Sequence, residues 1–526
     1  MFTRFTHRRC AALVLALLTA LGIPTLVGAQ GASYEQLQTF SSLLNQIRVS
    51  YVDSVTYAEL VHAAIDGVLG SLDPHSRFER RADAEREFAY ESGTLAGTGV
   101  VIDVVEDRLV VLTVIPGGPG ARNGVNAGDR LLAINDTAVA GLSPEEAGRR
   151  LLGDKGKKIR LVFARGSRLE PDSVRVSLKL DFIKPVSIGM ARLVDPTTGY
   201  LRLVGFHPKG GEELASSIRG LRSKGAKRLI LDLRGNPGGA MLAAEEIASL
   251  FLPKNTLVFR SYARRPGDRE EVRTRQEGPF VDLPLMLLID NGSASASEAV
   301  AASLQDHDRA LLLGRRSFGK ALIQRAFPVP PQGDLVWLTV ARVVTPSGRV
   351  IQRSYRGLKA EQYYSFAGQG GAEPDTLEVF HTDAGRAVRG GGGIVPDVPL
   401  PATASLPVWW SAVADSGWYE AIADSVATLL PRAPAERMGW FRAREEWQTR
   451  LVGPLLERVH SRLGISGTPD SALTARLGRI LAHRAAEVRW GAEAGDEFVL
   501  LNDPDIQAAM TCWDRLGALL GGSGGK

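Results

Sequence analysis

The chain has 526 residues, 44% of them apolar, with 63 basic and 58 acidic side chains and a formal charge of +5. That length holds several cores. Arg4, Arg8 and Arg9 stand in an opening stretch without acids, so the remainder is nearly neutral, which argues against a general nucleic-acid binder. Of the two cysteines, Cys10 falls in that opening stretch and Cys512 is then left alone, so neither a disulfide framework nor a cysteine metal cluster is expected.

The opening stretch has a basic start, an apolar run from about Ala11 to Leu21, and the small residues Val27-Gly28-Ala29 before Gln30. This reads as a secretory signal over 1–29 and places the protein outside the cytoplasm, in the periplasm or cell envelope. Gly22 and Pro24 interrupt the apolar run short of the ~20 residues a membrane span prefers, an uncleaved anchor being the alternative. Residues 30–92 read as a helical arm, because "YEQLQTFSSLLNQIRVSYV" and "YAELVHAAIDGVLGSL" repeat apolar residues at spacings of three and four. "LDPHS" ends it with a helix-stopping Pro74 and a turn residue, His75.

Residues 93–180 change to short β-branched runs, "GTGVVIDVV", "LVVLTVI", "DRLLAIN" and "KKIRLVFARG", around one helix-like segment, 143–153, that Ser143 can cap with Glu146 three residues on. A small β-barrel with one helix fits. "PGGPGARNGVNAGDRLLAIND" resembles the core of a PDZ domain. The resemblance implies that a peptide tail is added as a strand, its carboxylate received by a Gly-rich loop. The segment Leu95, Ala96, Gly97, Thr98, Gly99, Val100 is the expected loop and strand, with glycines where the backbone turns.

Between 181 and 400 strands alternate with helices: "GYLRLVGF", "GGEELASSIRGLRSKG", "KRLILDLRGNPGG", "AMLAAEEIASLFL" and "PLMLLID". The pattern predicts an α/β core with parallel sheet, whose sites form beyond the carboxyl ends of its strands. Both "RGNPGG" and "NGSASAS" lie at such ends. Residues 356–394 read as a surface excursion rich in glycine, 401–526 as a helical region, and "GGSGGK" as a disordered end.

Three alternating serines, Ser293, Ser295 and Ser297, raise the question of a nucleophile and its base. His307 lies 12 residues after Ser295, near the far end of the helix that the serine loop begins. About three turns separate them, or ~15 Å or more, so His307 is a poor base. Lys320 stands between Phe318 and the apolar Ala321-Leu322-Ile323, where burial favours a neutral amine. The two Gly-rich or helix-opening turns both aim free N–H groups outward. Ser297 reads as a cap of the following helix and Ser293 as a partner of the loop backbone.

The ordered series "LDPHS", the PDZ segment, "GSASASE", "LQDHDRALLLG", "SFGK", "TVARVVTPSGRVIQ" and "GGGIVPDVPL" closely resembles the C-terminal processing peptidases, or tail-specific proteases, from about Tyr34 to Pro399. The resemblance implies Ser295 as nucleophile, Lys320 as base, Gln324 as the residue orienting that lysine, and the amides of Gly239 and Ala296 as oxyanion hole. Asp306 matches an acidic or polar position of the family and reads as structural or modestly supporting. Where the family has glycine after the lysine this chain has Ala321, so a left-handed backbone there would be strained.

The reading is a multidomain α/β protein: an exported serine endopeptidase with a Ser-Lys dyad that recognises protein tails through its PDZ domain. It expects no metal and no cofactor, apolar-tailed protein or peptide substrates and no nucleic acid, and leaves room for an adaptor protein and a homo-oligomer. The alternative is an inactive PDZ scaffold that only binds tails. An ester hydrolase fits less well, because the chain has no G-x-S-x-G elbow.

Overall fold

The computed structural model describes residues 25–521, apart from 106–107, 116, 127, 166–171, 359 and 366–377. Most of the expected leader, the last five residues, and part of the excursion at 356–394 lie outside the described residues. The chain divides into two units, residues 1–78 and 79–526.

In the first unit the helices Thr25–Ser50 and Tyr57–Gly70 follow the apolar spacing of their sequences. The second starts at a reciprocal capping box: Glu59 N donates to Thr56 Oγ1 at 3.2 Å, and Thr56 N donates to the Glu59 carboxylate at 2.7 Å. Beyond Gly70, the Asp73 carboxylate accepts from the amides of His75 and Ser76, so His75 sits in an Asx-type turn. No helix among the described residues is long and apolar enough to cross a membrane.

In the second unit, the strands Val100–Val105, Arg108–Val114, Arg130–Ile134, Lys158–Arg165 and Asp172–Lys179 pair antiparallel in that order. They close around Val111, Leu131, Ile134, Ala147, Leu161 and Phe163. The helix Pro144–Arg150 starts at Ser143, whose Oγ accepts from Glu146 N at 3.2 Å, and lies beside Val100–Val105. This small barrel is joined to the rest by a neck, where Ala96–Gly97 pairs antiparallel with Asp181–Phe182.

The catalytic-core candidate is a six-stranded sheet in the order Ile188–Asp195, Thr198–Leu203, Arg228–Asp232, Leu285–Ile289, Leu311–Gly314, Val398–Pro399. All pairings are parallel except the first. Strand alternation sends Leu229, Leu231, Leu285, Leu287, Ile289 and Leu312 to one face, where they pack with the helices Gly210–Ser223, Met241–Ser249 and Ala296–Asp306. Tyr200, Ile230, Met286, Leu288, Leu311 and Leu313 point to the other face.

That second face is covered from the far end of the chain. Leu500, Ile506, Ala509, Cys512 and Leu516, on the helices Ala492–Asn502, Pro504–Met510 and Trp513–Gly521 and the bend between the last two, pack against it. A core ending at 400 would leave a row of Leu and Met in water, so the C-terminal region is the third layer of the core. The same region has a centre of its own, built on Phe441, Trp447, Leu451, Leu477, Leu481 and Phe498. A further sheet, Leu257–Ala263, Glu270–Arg273, Leu322–Val329 and Asp334–Val344, takes up the chain immediately after Lys320.

Candidate active site

Three neighbouring parallel strands, ending at Asp232, Ile289 and Gly314, release three turns at one edge of the sheet: 233–239, 290–295 and 315–321. Their meeting follows from parallel topology, which puts all carboxyl ends on one side.

The first two turns are fastened backbone to backbone. Ala294 N donates to Asn236 O at 3.0 Å, and Ser297 Oγ donates to the same carbonyl at 2.9 Å. Ser293 Oγ donates to Leu233 O at 2.7 Å, the loop-backbone role expected of it. Ser297, expected as a helix cap, lies inside the helix Ala296–Asp306; the residue at the cap position is Ser295. Gly238 is pressed against this turn so closely that a Cβ there would fall 2.7 Å from Ala294 O and 2.9 Å from both Ala296 N and Ser295 Cβ. Gly239 is equally confined by Phe206 O, at 2.4 Å from the same hypothetical atom.

Ser295 itself has φ 57° and ψ −113°, a conformation that L residues avoid. Ser295 therefore stands on a strained strand-to-helix turn, in a chain that has no G-x-S-x-G sequence. Among the described residues, neither Gly239 N–H nor Ala296 N–H donates a hydrogen bond to another group.

A buried glutamate that sequence reasoning passed over joins the second turn to the third. Glu298 Oε2 accepts from the amides of Ser295, at 2.9 Å, and Lys320, at 2.8 Å. Glu298 Oε1 accepts from Ser317 Oγ at 2.5 Å and Gly319 N at 2.6 Å. Burial pushes the Glu298 carboxyl up to about 7, against the pull of these four donors. Its signal was the spacing Ser295-x-x-Glu298, a capping-box pattern. Phe318 N also donates to Ser293 O at 2.9 Å, and Ser317 Oγ accepts from Ile394 N at 2.6 Å.

Lys320 is half-buried between the buried Phe318 and Ala321. Ala321 keeps φ outside the left-handed region; its N–H donates to Gln352 Oε1 at 2.7 Å and its methyl joins the main core. The strain expected from replacing glycine is thus absent, the left-handed angle falling on Gly319, φ 92°. Gln324, on the strand after the lysine, donates from Nε2 to Thr339 Oγ1 at 3.3 Å. His307 is held away from the serine turn between Asp383, 2.6 Å from Nδ1, and Leu257 O, 2.7 Å from Nε2. Asp306 is buried in a structural pair, accepting from Arg349 at 2.6 Å and Ser347 N at 3.0 Å.

In the barrel, Ala96 and Gly97 pair with Phe182 and Asp181, and Leu95 O accepts from Ile183 N at 2.8 Å. Thr98 N donates to Leu151 O at 3.0 Å, and Thr98 O accepts from Gly120 N at 2.7 Å. Leu95 to Thr98 therefore serve the neck and the inner loop. Gly99 takes the left-handed turn, φ 70°, and from Val100 the chain becomes an edge strand whose outer side pairs with no other strand among the described residues. Among the described residues no group of acidic, His or Cys side chains is arranged to hold a metal ion.

Residues 197–361 match the model of peptidase family S41, and residues 110–165 match a PDZ domain. A carboxy-terminal-processing protease of Bartonella bacilliformis is 33% identical over 324 residues, 61% of this chain and 73% of its own. A carboxy-terminal processing protease of Bacillus subtilis is 29% identical over 70% of this chain and 77% of its own. The chain belongs to the carboxy-terminal processing proteases. It is a peptidase that carries a PDZ domain, as the sequence motifs implied. A solved photosystem II D1 C-terminal processing protease aligns with 70% of this chain and 89% of its own, at 23% identity and a TM-score of 0.38.

Proposed function

We propose that this peptidase is an exported serine endopeptidase in which Ser295 is the nucleophile and Lys320 its base. The observation that carries the reading is the Glu298 carboxylate, which holds the backbone of both residues through a single oxygen. Neutral Lys320 accepts the Ser295 proton as Oγ attacks the scissile carbonyl, and the free amides of Gly239 and Ala296 receive the oxyanion. Lys320 then returns the proton to the leaving amine, and water, activated in the same way, releases the acyl group.

The substrate tail adds as a strand along Val100–Val105, the open edge of the barrel, beside the helix Pro144–Arg150. Val104, 41% exposed, stands on the same side of that strand as Val100 and Ile102 and offers an apolar surface suited to apolar tails. The leader-like opening supports export, and the unstrained Ala321 supports an active site over an inert scaffold. The test is cleavage of unfolded casein by the purified chain. Ser295→Ala and Lys320→Ala should each abolish it, by ~10⁴-fold or more, whereas His307→Ala should retain most of it. A dead but folded His307 variant would overturn the lysine mechanism.

A further inference from the structure

Arg234 opens the turn that presents the Gly239 amide, and Arg315 opens the turn that presents Lys320. Both side chains converge on one carboxylate from the far end of the chain. Arg234 Nη1 lies 2.8 Å from Asp505 Oδ2, and Arg315 Nη2 lies 3.0 Å from Asp505 Oδ1, with Arg315 Nη1 closing a second contact to Oδ2. Arg234 is also paired with Asp503, at 3.1 Å, and with Asp232 of its own strand, at 2.6 Å. Asp503 in turn caps the helix carrying Asp505, accepting from Asp505 N at 2.9 Å and Ile506 N at 3.0 Å.

Burial pushes the Asp505 carboxyl up, but Arg315 and Arg234 more than offset it and hold it below the usual carboxylate range. A cavity of about 380 Å³ lined by Arg234, Arg476, Arg479 and Asp505 lies against this cluster. Arg234 lines this cavity, and its guanidinium is held by the carboxylates of Asp232, Asp503 and Asp505. Asp505 stands beyond residues 197–361, the span matching the peptidase family.

We propose that Asp505 is a positioning residue through which the C-terminal helical region sets the spacing between the oxyanion turn and the lysine turn. The inference rests on the serine-lysine reading of the site. Asp505 touches no reacting atom; by fixing Arg234 and Arg315 together it fixes where the Gly239 amide and Lys320 stand relative to Ser295. Two turns on the strands that flank Leu285–Ile289 then move as one body, and catalysis is sensitive to misplacement on the scale of an ångström.

The test uses the full chain, a short peptide substrate, and a serine-directed fluorophosphonate that reports Ser295 reactivity. Asp505→Asn should lower kcat by about ten- to a hundred-fold, with KM changed by less than about two-fold, and should slow phosphonylation alike. Asp496→Asn, which breaks a contact of 2.9 Å between the C-terminal region and Arg192 away from both turns, should keep the wild-type kcat. An Asp505 variant with wild-type kcat overturns the proposal, as does an equal loss in both variants. If Asp505→Asn does not fold, Arg315→Lys keeps the charge and loses the paired geometry: reduced kcat supports the proposal and unchanged kcat overturns it. Should Ser295→Ala still cleave the peptide, the nucleophile assignment falls and takes this inference with it; if Ser295→Ala is dead and Asp505→Asn is fully active, only the inference falls.

Discussion

The PDZ barrel and the catalytic core are built from the same chain by opposite rules. Every strand of the barrel pairs within residues 96–182, and its entry and exit lie side by side at the neck. The core needs residues from 188 to 516, and its site takes turns from three strands, a glutamate from a helix, and side chains from the last helices. A module closed on itself tolerates removal; a site assembled from distant pieces loses everything when one piece is lost.

Deletion should expose this contrast most sharply. Removing 401–526 uncovers Ile230, Met286, Leu288, Leu311 and Leu313, each worth roughly 1.5–3 kcal/mol of burial, against the about 5–15 kcal/mol that holds a domain folded. The truncated chain should aggregate or lose its cooperative thermal transition. Excising 98–180, with a short turn joining Gly97 to Asp181, should leave a soluble core whose transition is retained. Equal behaviour of the two deletions would end the distinction.

A point change at the junction of the turns comes next. Glu298→Gln replaces one carboxylate oxygen by an amide that faces donors, and should lower kcat by about a hundred-fold while PDZ binding of a tail peptide stays intact. The same variant has a pH signature. The Glu298 carboxyl titrates near 7 when folded against an ordinary 4.5, so the folded state binds its proton more tightly. This group's contribution to stability is full below about 4.5 and is lost as pH rises through about 7. Denaturant midpoints of the wild type should therefore carry a downward slope with rising pH over that window that the Gln variant lacks; parallel profiles would count against a titrating Glu298.

Matched glycines reduce the comparison to a single added methyl. At Gly238 an added methyl meets backbone atoms of the serine turn at 2.7 and 2.9 Å, so Gly238→Ala should cut kcat on a short peptide strongly. At Gly97 its nearest neighbours are the side-chain ends of Ile183 and Leu152 at 2.7 Å, with the backbone atom Leu151 O farther off at 3.2 Å. Gly97→Ala should leave that kcat nearly unchanged and shift the melting temperature slightly.

Much of this was legible in the chain itself, where the argument is local. The alternation of "KRLILDLRG" and "PLMLLID" predicts buried strands ending in turns, and helical spacing places the strand-turn-helix around Ser295. The family resemblance names Ser295 and Lys320 from motifs 25 residues apart. Glu298 was passed over because its role depends on the Ser317 hydroxyl and the amides of Gly319 and Lys320, which only folding brings to it. The neck role of Ala96 and Gly97 was equally hidden, since their partners stand at 181–182.

The sequence by itself thus determined the elements, the PDZ and peptidase affiliations and the residues fit for chemistry, because periodicity and motif are properties of neighbouring residues. Tertiary structure decided that Ala321 is unstrained, that one buried carboxylate joins the serine and lysine turns, and that the last helices form a layer of the core and reach Arg234 and Arg315 through Asp505. These include contacts between residues 271 positions apart, and their formation depends on how strands are ordered in a sheet, which no local pattern records.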